Sequence, residues 1–385
     1  MIQQSASNAS LGRGFGGPGK YVQAPGALRA LGEYLNAYGP TTFILIDRFI
    51  DDLMGAELRE SLAKAGVTAH FELFGGECSA EEIDRAVTAA KNAGGHSVVG
   101  IGGGKTMDTA KVVAVDLKLP MIIAPTVAST DAPCSAIAVR YTSAGVLDTG
   151  LFLMRNPDLV LVDSAVVAAA PPRYLISGIG DAFSTWFEAR SNLEARCDNF
   201  IGHRHPPTAA GIAIAQKCHE ILLRDGLSAR QAVERGALTP AVEAIIEANT
   251  LLSGLGFENC GVSAAHGISD ALTELDAAHA YLHGEKVAFG VLCMLVLEGR
   301  PHEEFVEAAE FLKSVGLPTR LEDVGLIDAS DADLDLVAEV ALKAGASTLR
   351  TSVPLSTQMV RDAIIAADAN SSALGHGPAW RGGKS

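Results

Sequence analysis

The sequence predicts two domains of different class: an α/β domain with a parallel sheet over residues 1–170, and an all-helical domain over residues 171–385. The chain has 385 residues, more than one hydrophobic core usually organises. Before the pair Pro171 and Pro172, short apolar runs alternate with helical periodicity, which is typical of a parallel sheet flanked by helices. After that pair, strand-like runs disappear and Ala-rich amphipathic segments follow one another.

Five apolar runs predict the strands: Thr41 to Arg48, His96 to Gly104, Pro120 to Thr126, Ala136 to Thr142 and Asp158 to Asp163. Among them, Ser79 to Gly95 predicts a helix that Ser79 caps, with Glu82 three residues later and Gly94 at its end. Eight amphipathic segments predict the helices of the second domain: Tyr174 to Ser191, Thr208 to Leu223, Ala241 to Ser253, Val262 to Leu275, Lys286 to Leu297, Glu303 to Val315, Ala332 to Ala344 and Gln358 to Ala367.

The composition excludes several classes of function. A formal net charge of -15 and a pI near 5.1 give a surface that repels nucleic-acid phosphates and anionic membranes. The N-terminus has no apolar run after a basic start, and nowhere do about 18 apolar residues stand together, so we expect a cytoplasmic protein without a membrane span. The six cysteines form no CxxC pair, which argues against a structural zinc knot and a disulfide framework.

The loop GIGGGKTMDTAK, from Gly100 to Lys111, places three consecutive glycines between an apolar strand and a helix. Backbone N–H groups at such a positive helix end can approach a phosphate. Lys105 stands where the pattern GxGxxG needs its last glycine, and Val99 stands where the Walker pattern needs its first. The loop therefore indicates a phosphate without naming the nucleotide, and a tight strand-to-helix turn is the alternative.

Two further segments lie at the carboxyl ends of predicted strands, where α/β sheets bind their ligands. Asp47 could accept hydrogen bonds from a ribose diol, which would favour NAD over NADP, and a solvated strand-end carboxylate is the alternative. The segment PTVASTDAPCSAIAVRY places Thr126, Ser129 and Asp131 just beyond another strand. Their oxygens could hold a nicotinamide or a polyol, although Ser, Thr and Asp also favour turns for their own reasons.

Asp181, His266 and His283 stand in the phrases SGIGDAF, SAAHGISDAL and YLHGEKVAFG. One carboxylate and two imidazoles form a tridentate set that leaves coordination positions open and suits Zn²⁺ or Fe²⁺. Each histidine taken alone could instead be a structural helix residue. His279 and His283 form a competing i, i+4 pair, and Asp270 is another candidate carboxylate.

Several phrases, in this order along the chain, resemble the glycerol dehydrogenases of the iron-containing alcohol dehydrogenase superfamily. They are GGGKTMDTAK, PTVASTDAPCSA, NPDLVLVD, APPRYLISGIGDAFSTWFEAR, ANTLLSGLGFE, AAHGISDAL and HGEKVAFG. The resemblance implies a Rossmann-like NAD-binding domain, an all-helical metal-binding and substrate domain, and a catalytic cleft between them, which is the architecture of dehydroquinate synthase. By this similarity, Asp181, His266 and His283 are the metal ligands, with Zn²⁺ as the expected ion and Fe²⁺ as the alternative.

The resemblance also implies the residues that bind NAD and substrate. The pyrophosphate would contact Gly103, Gly104, Lys105 and Asp108, the adenosine ribose would contact Asp47, and the rest of the dinucleotide would contact Thr126, Ser129, Ser135, Ile137 and Tyr141. Asp131 would contact the glycerol hydroxyls. The segment after His266 departs from the family, which carries further His and Asn residues there.

The implied reaction is the reversible oxidation of glycerol to dihydroxyacetone with NAD⁺, in which a metal-bound alkoxide passes a hydride to the nicotinamide. Water or Asp131 could relay the proton. The expected partner is a small polyol, and the superfamily usually forms homo-oligomers. A related small-diol or polyol dehydrogenase is an alternative of the same class. A dehydroquinate-synthase-type lyase is an alternative of another class, but it would need several cations, and the cleft region offers mainly Lys286.

Overall fold

In the computed structural model of the protein, residues 12–143, 145, 147–202, 204–343 and 345–375 are described. They form two compact units. The sheet unit comprises Gly16–Leu175 and Ala232–Leu255, and the helical unit comprises Ile176–Gln231 with the described parts of Met1–Phe15 and Gly256–Ser385. The predicted combination of an α/β region and a helical region is confirmed, while the predicted boundary between residues 170 and 171 stays a prediction.

Eight strands lie among the described residues. They are β1 (Tyr21–Ala24), β2 (Thr41–Ile46), β3 (Thr68–Leu73), β4 (Ser97–Gly102), β5 (Met121–Pro125), β6 (Ile137–Tyr141), β7 (Leu147–Phe152) and β8 (Leu159–Asp163). Six of them form a parallel sheet in the order β1-β8-β5-β4-β2-β3, while β6 and β7 pair antiparallel as a separate hairpin. All five predicted strands are present, and the prediction missed β1, β3 and β7.

Two of the missed strands form the edges of the parallel sheet. β1 has only four residues, and residues of β3 alternate between exposed and partly buried over its first half. An edge strand does not need a continuous apolar run, because it has a neighbour on one side alone. The central strands β4, β5 and β8 are buried at every residue, and their sequences are correspondingly apolar.

The register of the parallel strands brings the predicted nucleotide segments to one edge of the sheet. Ile46 pairs with Ile101, and Gly102 pairs with Pro125. Asp47 and Thr126 follow β2 and β5 directly, and the glycine loop follows β4. Because carboxyl ends of parallel strands meet at the same edge, the three segments lie side by side.

Fourteen α-helices lie among the described residues. They are α1 (Leu31–Leu35), α2 (Arg48–Lys64), α3 (Ala80–Ala93), α4 (Gly104–Leu117), α5 (Ser164–Ala169), α6 (Pro172–Ala195), α7 (Ala209–Val233), α8 (Pro240–Glu247), α9 (Ser253–Cys260), α10 (Ala264–Leu272), α11 (His283–Leu297), α12 (His302–Ser314), α13 (Asp331–Ala341) and α14 (Thr357–Ala373). A π-helical turn, Ala248–Leu252, joins α8 to α9. Each of the eight predicted helices has a counterpart. Within the described ranges, no helix has the length and apolarity needed to cross a membrane.

The ends of α3 agree with the sequence signals, with one difference. Ser79 Oγ accepts a hydrogen bond from the Glu82 N–H at 3.2 Å, and Gly94 ends the helix with a left-handed φ of 63°. The Glu82 carboxylate, however, accepts from the Gly75 N–H at 2.8 Å and from the Arg85 guanidinium. Glu82 therefore stabilises the loop between β3 and α3 instead of completing a capping box.

Candidate metal centre and nucleotide loop

Three helices of the helical unit bring the predicted metal ligands together. α6 carries Asp181, α10 carries His266, and α11 begins at His283. Asp181 Oδ1 lies 3.4 Å from Nε2 of each histidine, and the candidate ligand atoms all lie within 4.8 Å of one another. Asp181 is buried, whereas the His283 side chain is 40% exposed. Solvent or a metal ion can therefore reach the cluster beside His283.

The position of Asp181 next to His283 depends on a close approach of α6 and α11. Gly180 precedes Asp181, and Gly284 follows His283. A Cβ atom on Gly284 would overlap the carbonyl oxygen of Ser177, and one on Gly180 would overlap the carbonyl oxygen of Gly284. Because packed helices have no room to absorb such overlaps, larger residues here would move the two ligands apart.

A second carboxylate of α6 determines the orientation of the His266 ring. Glu188 Oε2 lies 2.7 Å from His266 Nδ1. A carboxylate can only accept, so Nδ1 donates its proton, and Nε2 of the neutral ring keeps the lone pair that faces Asp181. Metal-binding histidines usually have such a partner on the other ring nitrogen. The donor set of Asp181, His266 and His283 therefore fits a divalent metal.

The charges of the cluster shift the pKa values of its members. Burial opposes ionisation of Asp181, but His283 and then His266 hold its pKa well below the usual range. Burial also opposes protonation of His266, yet the neighbouring carboxylates of Glu188 and Asp181 raise its pKa well above the usual value. The cluster therefore attracts positive charge, which a metal ion can supply in place of a proton.

The structure does not support the competing pair of His279 and His283. His279 lies in a 3₁₀ turn, Asp276–Ala280, whereas His283 begins α11, so the two side chains do not share one helical face. Asp270, the alternative carboxylate, is exposed one turn after His266 and acts on the cluster histidines through charge.

In the sheet unit, the glycine loop joins β4 to the N-terminus of α4. Gly103 is the N-cap of α4 and has no side chain to accept a hydrogen bond. Asp47 supplies an acceptor from the end of β2: its Oδ2 accepts from the Gly103 N–H at 2.9 Å, and its Oδ1 accepts from the Thr106 hydroxyl at 2.7 Å. Asp47 thus holds the loop in place, and its predicted contact with a ribose stays a prediction.

Lys105 and Asp108, both on α4, have different surroundings. Lys105 is exposed, and its Nζ lies 2.6 Å from Glu77 Oε2 and 5.0 Å from the centre of the Tyr141 ring. Asp108 is buried and accepts from Lys111 Nζ at 3.2 Å and from a backbone N–H of β6 at 2.9 Å. The exposed Lys105 can therefore bind a phosphate, whereas Asp108 joins α4 to the β6–β7 hairpin by a hydrogen bond. The roles predicted for both in NAD binding stay predictions.

Residues of the π-helical turn and of α9 hold the segment 126–131. The Thr126 N–H donates to the last carbonyl of β4 at 3.1 Å. Asn249 Nδ2 donates to the carbonyl oxygen of Ala128 at 3.0 Å, and the Ser253 hydroxyl donates to Asp131 Oδ2 at 2.9 Å. The wide π turn thus places two side chains of one helical stretch on the segment predicted to bind nicotinamide or substrate.

The other predicted cofactor contacts also lie in the sheet unit. Ser129 is half-buried in the segment 126–131, and the Ser135 hydroxyl donates to the Ala132 carbonyl at 3.2 Å. Ile137 and Tyr141 lie on β6. Their contacts with NAD stay predictions.

Three residues of these sites, Glu188, Lys111 and Ser253, are not among the residues predicted from the sequence. Glu188 follows Asp181 by two helical turns and Lys111 follows Asp108 by one, so helical periodicity could have indicated both. Ser253 carries no local signal, because its partner is far away in the chain.

Known proteins match this chain over most of its length. Residues 18–164 match the sequence model of the iron-containing alcohol dehydrogenases. A glycerol dehydrogenase of Thermotoga maritima is 48% identical over 352 residues, which are 91% of this chain and 95% of the relative. The chain belongs to the iron-containing alcohol dehydrogenase family. Membership of this family implies NAD and a divalent metal as cofactors.

Two further relatives show that the fold is shared and that related chains carry different functional names. The crystal structure of a probable glycerol dehydrogenase from Sinorhizobium meliloti 1021 is 54% identical, covers 94% of this chain and 99% of its own, and superposes with a TM-score of 0.90. A protein named glycolaldehyde reductase from Halobacterium salinarum is 41% identical over 92% of this chain and 96% of its own.

Proposed function

We propose that this protein catalyses the reversible oxidation of glycerol to dihydroxyacetone with NAD⁺. The observation that carries the proposal is the convergence of Asp181, His266 and His283, with Nε2 of His266 oriented by the hydrogen bond at Nδ1. The 48% identity to a glycerol dehydrogenase over 91% of the chain supports glycerol as the substrate.

Asp181, His266 and His283 would hold the metal, which we take to be zinc, with Fe²⁺ as the alternative. Two imidazoles and one carboxylate suit either ion, whereas Mg²⁺ and Ca²⁺ prefer oxygen ligands. A metal ion held there would supply Lewis-acid chemistry that lowers the pKa of a substrate hydroxyl.

Side chains and backbone groups of the sheet unit would bind the substrate and NAD and would help to remove the proton. Asp131 would bind a glycerol hydroxyl, and the Ser253 hydroxyl, 2.9 Å from Asp131 Oδ2, would limit rotation of that carboxylate. Asp131 or a water molecule would carry the proton outward.

The pyrophosphate of NAD would bind to the backbone N–H groups of Gly103 and Gly104 and to Lys105, at the positive end of α4. Lys105 would leave Glu77, which lies 2.6 Å away, when the phosphate arrives. Assembly as a homo-oligomer and a cytoplasmic location stay predictions.

Glycolaldehyde is a second candidate substrate, supported by the relative named glycolaldehyde reductase, and other small diols or polyols are further candidates. The same hydride transfer would run in the reducing direction. A lyase of the dehydroquinate-synthase type would return the hydride within each cycle, so net accumulation of NADH separates that reaction from a dehydrogenase.

The test is a panel of small diols and carbonyls followed by NADH absorbance. The protein is first treated with a chelator and then reloaded with Zn²⁺ or Fe²⁺, and glycerol, 1,2-propanediol, dihydroxyacetone and glycolaldehyde are compared. We expect the highest kcat/KM with glycerol or dihydroxyacetone. A zinc-loaded protein that does not reduce NAD⁺ with any of these diols would contradict the proposal.

A further inference from the structure

We propose that Glu188 is a positioning residue for the metal centre: its carboxylate sets both the tautomer and the location of His266, so that Nε2 of that ring can bind the ion. The inference rests on the metal-binding role proposed above for His266. Glu188 is not itself a metal ligand, but it would control how tightly the three ligands bind the ion.

Glu188 makes three hydrogen bonds to the first turn of α10. Its Oε1 accepts from the backbone N–H of Ser263 at 2.7 Å and from that of His266 at 3.0 Å. Its Oε2 lies 2.7 Å from His266 Nδ1. Ser263 is the N-cap of α10, and its own side chain does not cap the helix. One carboxylate of α6 therefore caps α10 and also holds the ring of the ligand that α10 carries.

Asp181 and Glu188 approach the same imidazole from opposite sides. They stand two turns apart on one face of α6, so a single rigid helix sets their separation. Asp181 Oδ1 lies 3.4 Å from Nε2, while Glu188 occupies Nδ1. With Glu188 in place, the neutral ring can carry its proton only on Nδ1, and the lone pair of Nε2 points to the cluster.

The surroundings of Glu188 make these bonds strong. The side chain is 1% exposed, so water does not compete for its oxygens. Hydrogen bonds to a charged acceptor in a buried setting are shorter and stronger than neutral ones. A rotation of His266 away from the ligand geometry would therefore break a well-protected interaction.

The experiment measures zinc affinity of the full chain, without NAD or glycerol, by competition with a fluorescent chelator. Glu188→Gln is expected to weaken zinc binding by about 10- to 100-fold, the usual effect of losing an outer carboxylate of a metal-bound histidine. Glu194→Gln is the matched control, because Glu194 lies on the same helix but pairs at the surface with Arg300. It should change the affinity by less than about twofold.

Two further variants separate the hydrogen bond from the charge. Glu188→Asp keeps the charge but shortens the side chain by one methylene, and we expect it to weaken zinc binding also. Asp270→Asn removes a charge that acts on the same histidines, and we expect a smaller loss than with Glu188→Gln. If either Glu188→Gln or Glu188→Asp binds zinc as tightly as the wild type, the positioning role is overturned.

A measurement on the unaltered protein covers the case in which the Glu188 variants do not fold. In the Co²⁺-loaded chain, NMR resolves the ring N–H protons of the ligands, which the paramagnetic ion shifts far from the other signals. The His266 proton, bonded to buried Glu188, should exchange slowly with water, and the His283 proton, on a side chain that is 40% exposed, should exchange rapidly. Rapid exchange of both protons would contradict the proposal.

Failure of this inference can be distinguished from failure of the proposed function. If the wild-type chain binds zinc and His283→Ala does not, while Glu188→Gln matches the wild type, the metal site stands and the positioning role fails. If the wild-type chain binds neither Zn²⁺ nor Fe²⁺, both fail.

Discussion

The metal cluster of the helical unit and the glycine loop of the sheet unit prepare for their ligands in different ways. In the cluster, Glu188 occupies one nitrogen of His266 and leaves the other for the ion. In the loop, groups that could meet a phosphate are already bonded within the protein: the Gly103 N–H donates to Asp47, and Lys105 pairs with Glu77. The cluster is preorganised, whereas the loop must exchange partners. We therefore expect changes in the cluster to affect the chemistry and changes in the loop to affect NAD binding.

The largest expected effect is that of removing a ligand from the cluster. His266→Ala should lose stoichiometric zinc and reduce kcat/KM for glycerol by about 10³-fold or more, because a metal ion contributes several kcal/mol to such a reaction. Zinc content and NADH production are measured on the same sample. His70→Ala, which removes an exposed imidazole of β3, is the control and should keep both. A zinc-loaded, active His266→Ala protein would contradict the assignment.

The next largest effect is expected in the sheet unit, but on stability. Lys111 is fully buried, and its Nζ donates to Asp108 and to the carbonyl oxygens of Ala132 and Ile137. Lys111→Met leaves the Asp108 charge buried without its counter-charge, so the free energy of unfolding should fall by about 3–5 kcal/mol. Urea unfolding measures it.

The control for that change is Lys64→Met, which breaks the exposed pair with Glu60. Its cost should stay below about 0.5 kcal/mol, because exposed ion pairs contribute little. Equal losses for the two variants would show that the buried pair has no special part in holding α4 to the hairpin.

A smaller loss of stability, with a specific loss of metal, is expected at the glycine contact of α6 and α11. Gly284→Ala places a methyl group on the carbonyl oxygen of Ser177 and should cost about 1–3 kcal/mol. Zinc affinity should fall in the same variant, because Asp181 and His283 move apart. Gly150→Ala on β7 meets no atom within 4 Å, so it should leave both quantities unchanged. Unchanged zinc affinity in Gly284→Ala would mean that the helix contact does not set the ligand distance.

Lowering the pH should reduce the stability of the helical unit, because His219 is buried there. This ring stacks on Phe183 and packs edge-on to Phe187. Burial, with a smaller contribution from Arg190, lowers its pKa from 6.5 to about 4. Between these pH values the unfolded chain binds a proton that the folded chain does not, so stability falls as the pH falls from 6.5 towards 4.

The contribution of His219 to this loss should be about 2 kcal/mol, less than the full shift implies because the ring is not completely buried. Urea unfolding at pH 7 and pH 5 measures it, and His219→Leu should show a smaller decrease than the wild type. An identical decrease in the two proteins would remove His219 as a cause. His70→Gln, at an exposed imidazole, serves as the control.

The smallest expected effect concerns the glycine loop. Lys105→Ala should raise KM for NAD⁺ by about tenfold and leave kcat within about twofold, since it removes one charged contact to the cofactor. Glu77→Gln, by contrast, should lower that KM, because Lys105 no longer has to leave a carboxylate 2.6 Å away. Steady-state kinetics at saturating glycerol test both. A loss of kcat in Lys105→Ala would show that the loop acts in the chemical step.

Some parts of the fold were predictable because their signals are local. The central strands are buried at every residue and read as continuous apolar runs, and Ser79 and Gly94 mark the ends of α3. The edge strands β1 and β3 were missed, because a half-covered strand has no such run. The competing pair of His279 and His283 has helical spacing in the sequence, but the helix does not begin until His283. The spacing therefore suggested a shared face that the backbone does not form.

The sequence by itself determined the central strands of the sheet, the eight predicted helices and the residue types of the candidate ligands, Asp181, His266 and His283. Periodicity and capping act over a few residues, and both can be seen without a structure. Only the tertiary structure decided that the three ligand atoms fall within 4.8 Å of one another and that Glu188 holds the second nitrogen of His266. These distances depend on how closely α6 and α11 pack at Gly284 and on how α10 is capped, and such contacts join residues that are remote in the chain.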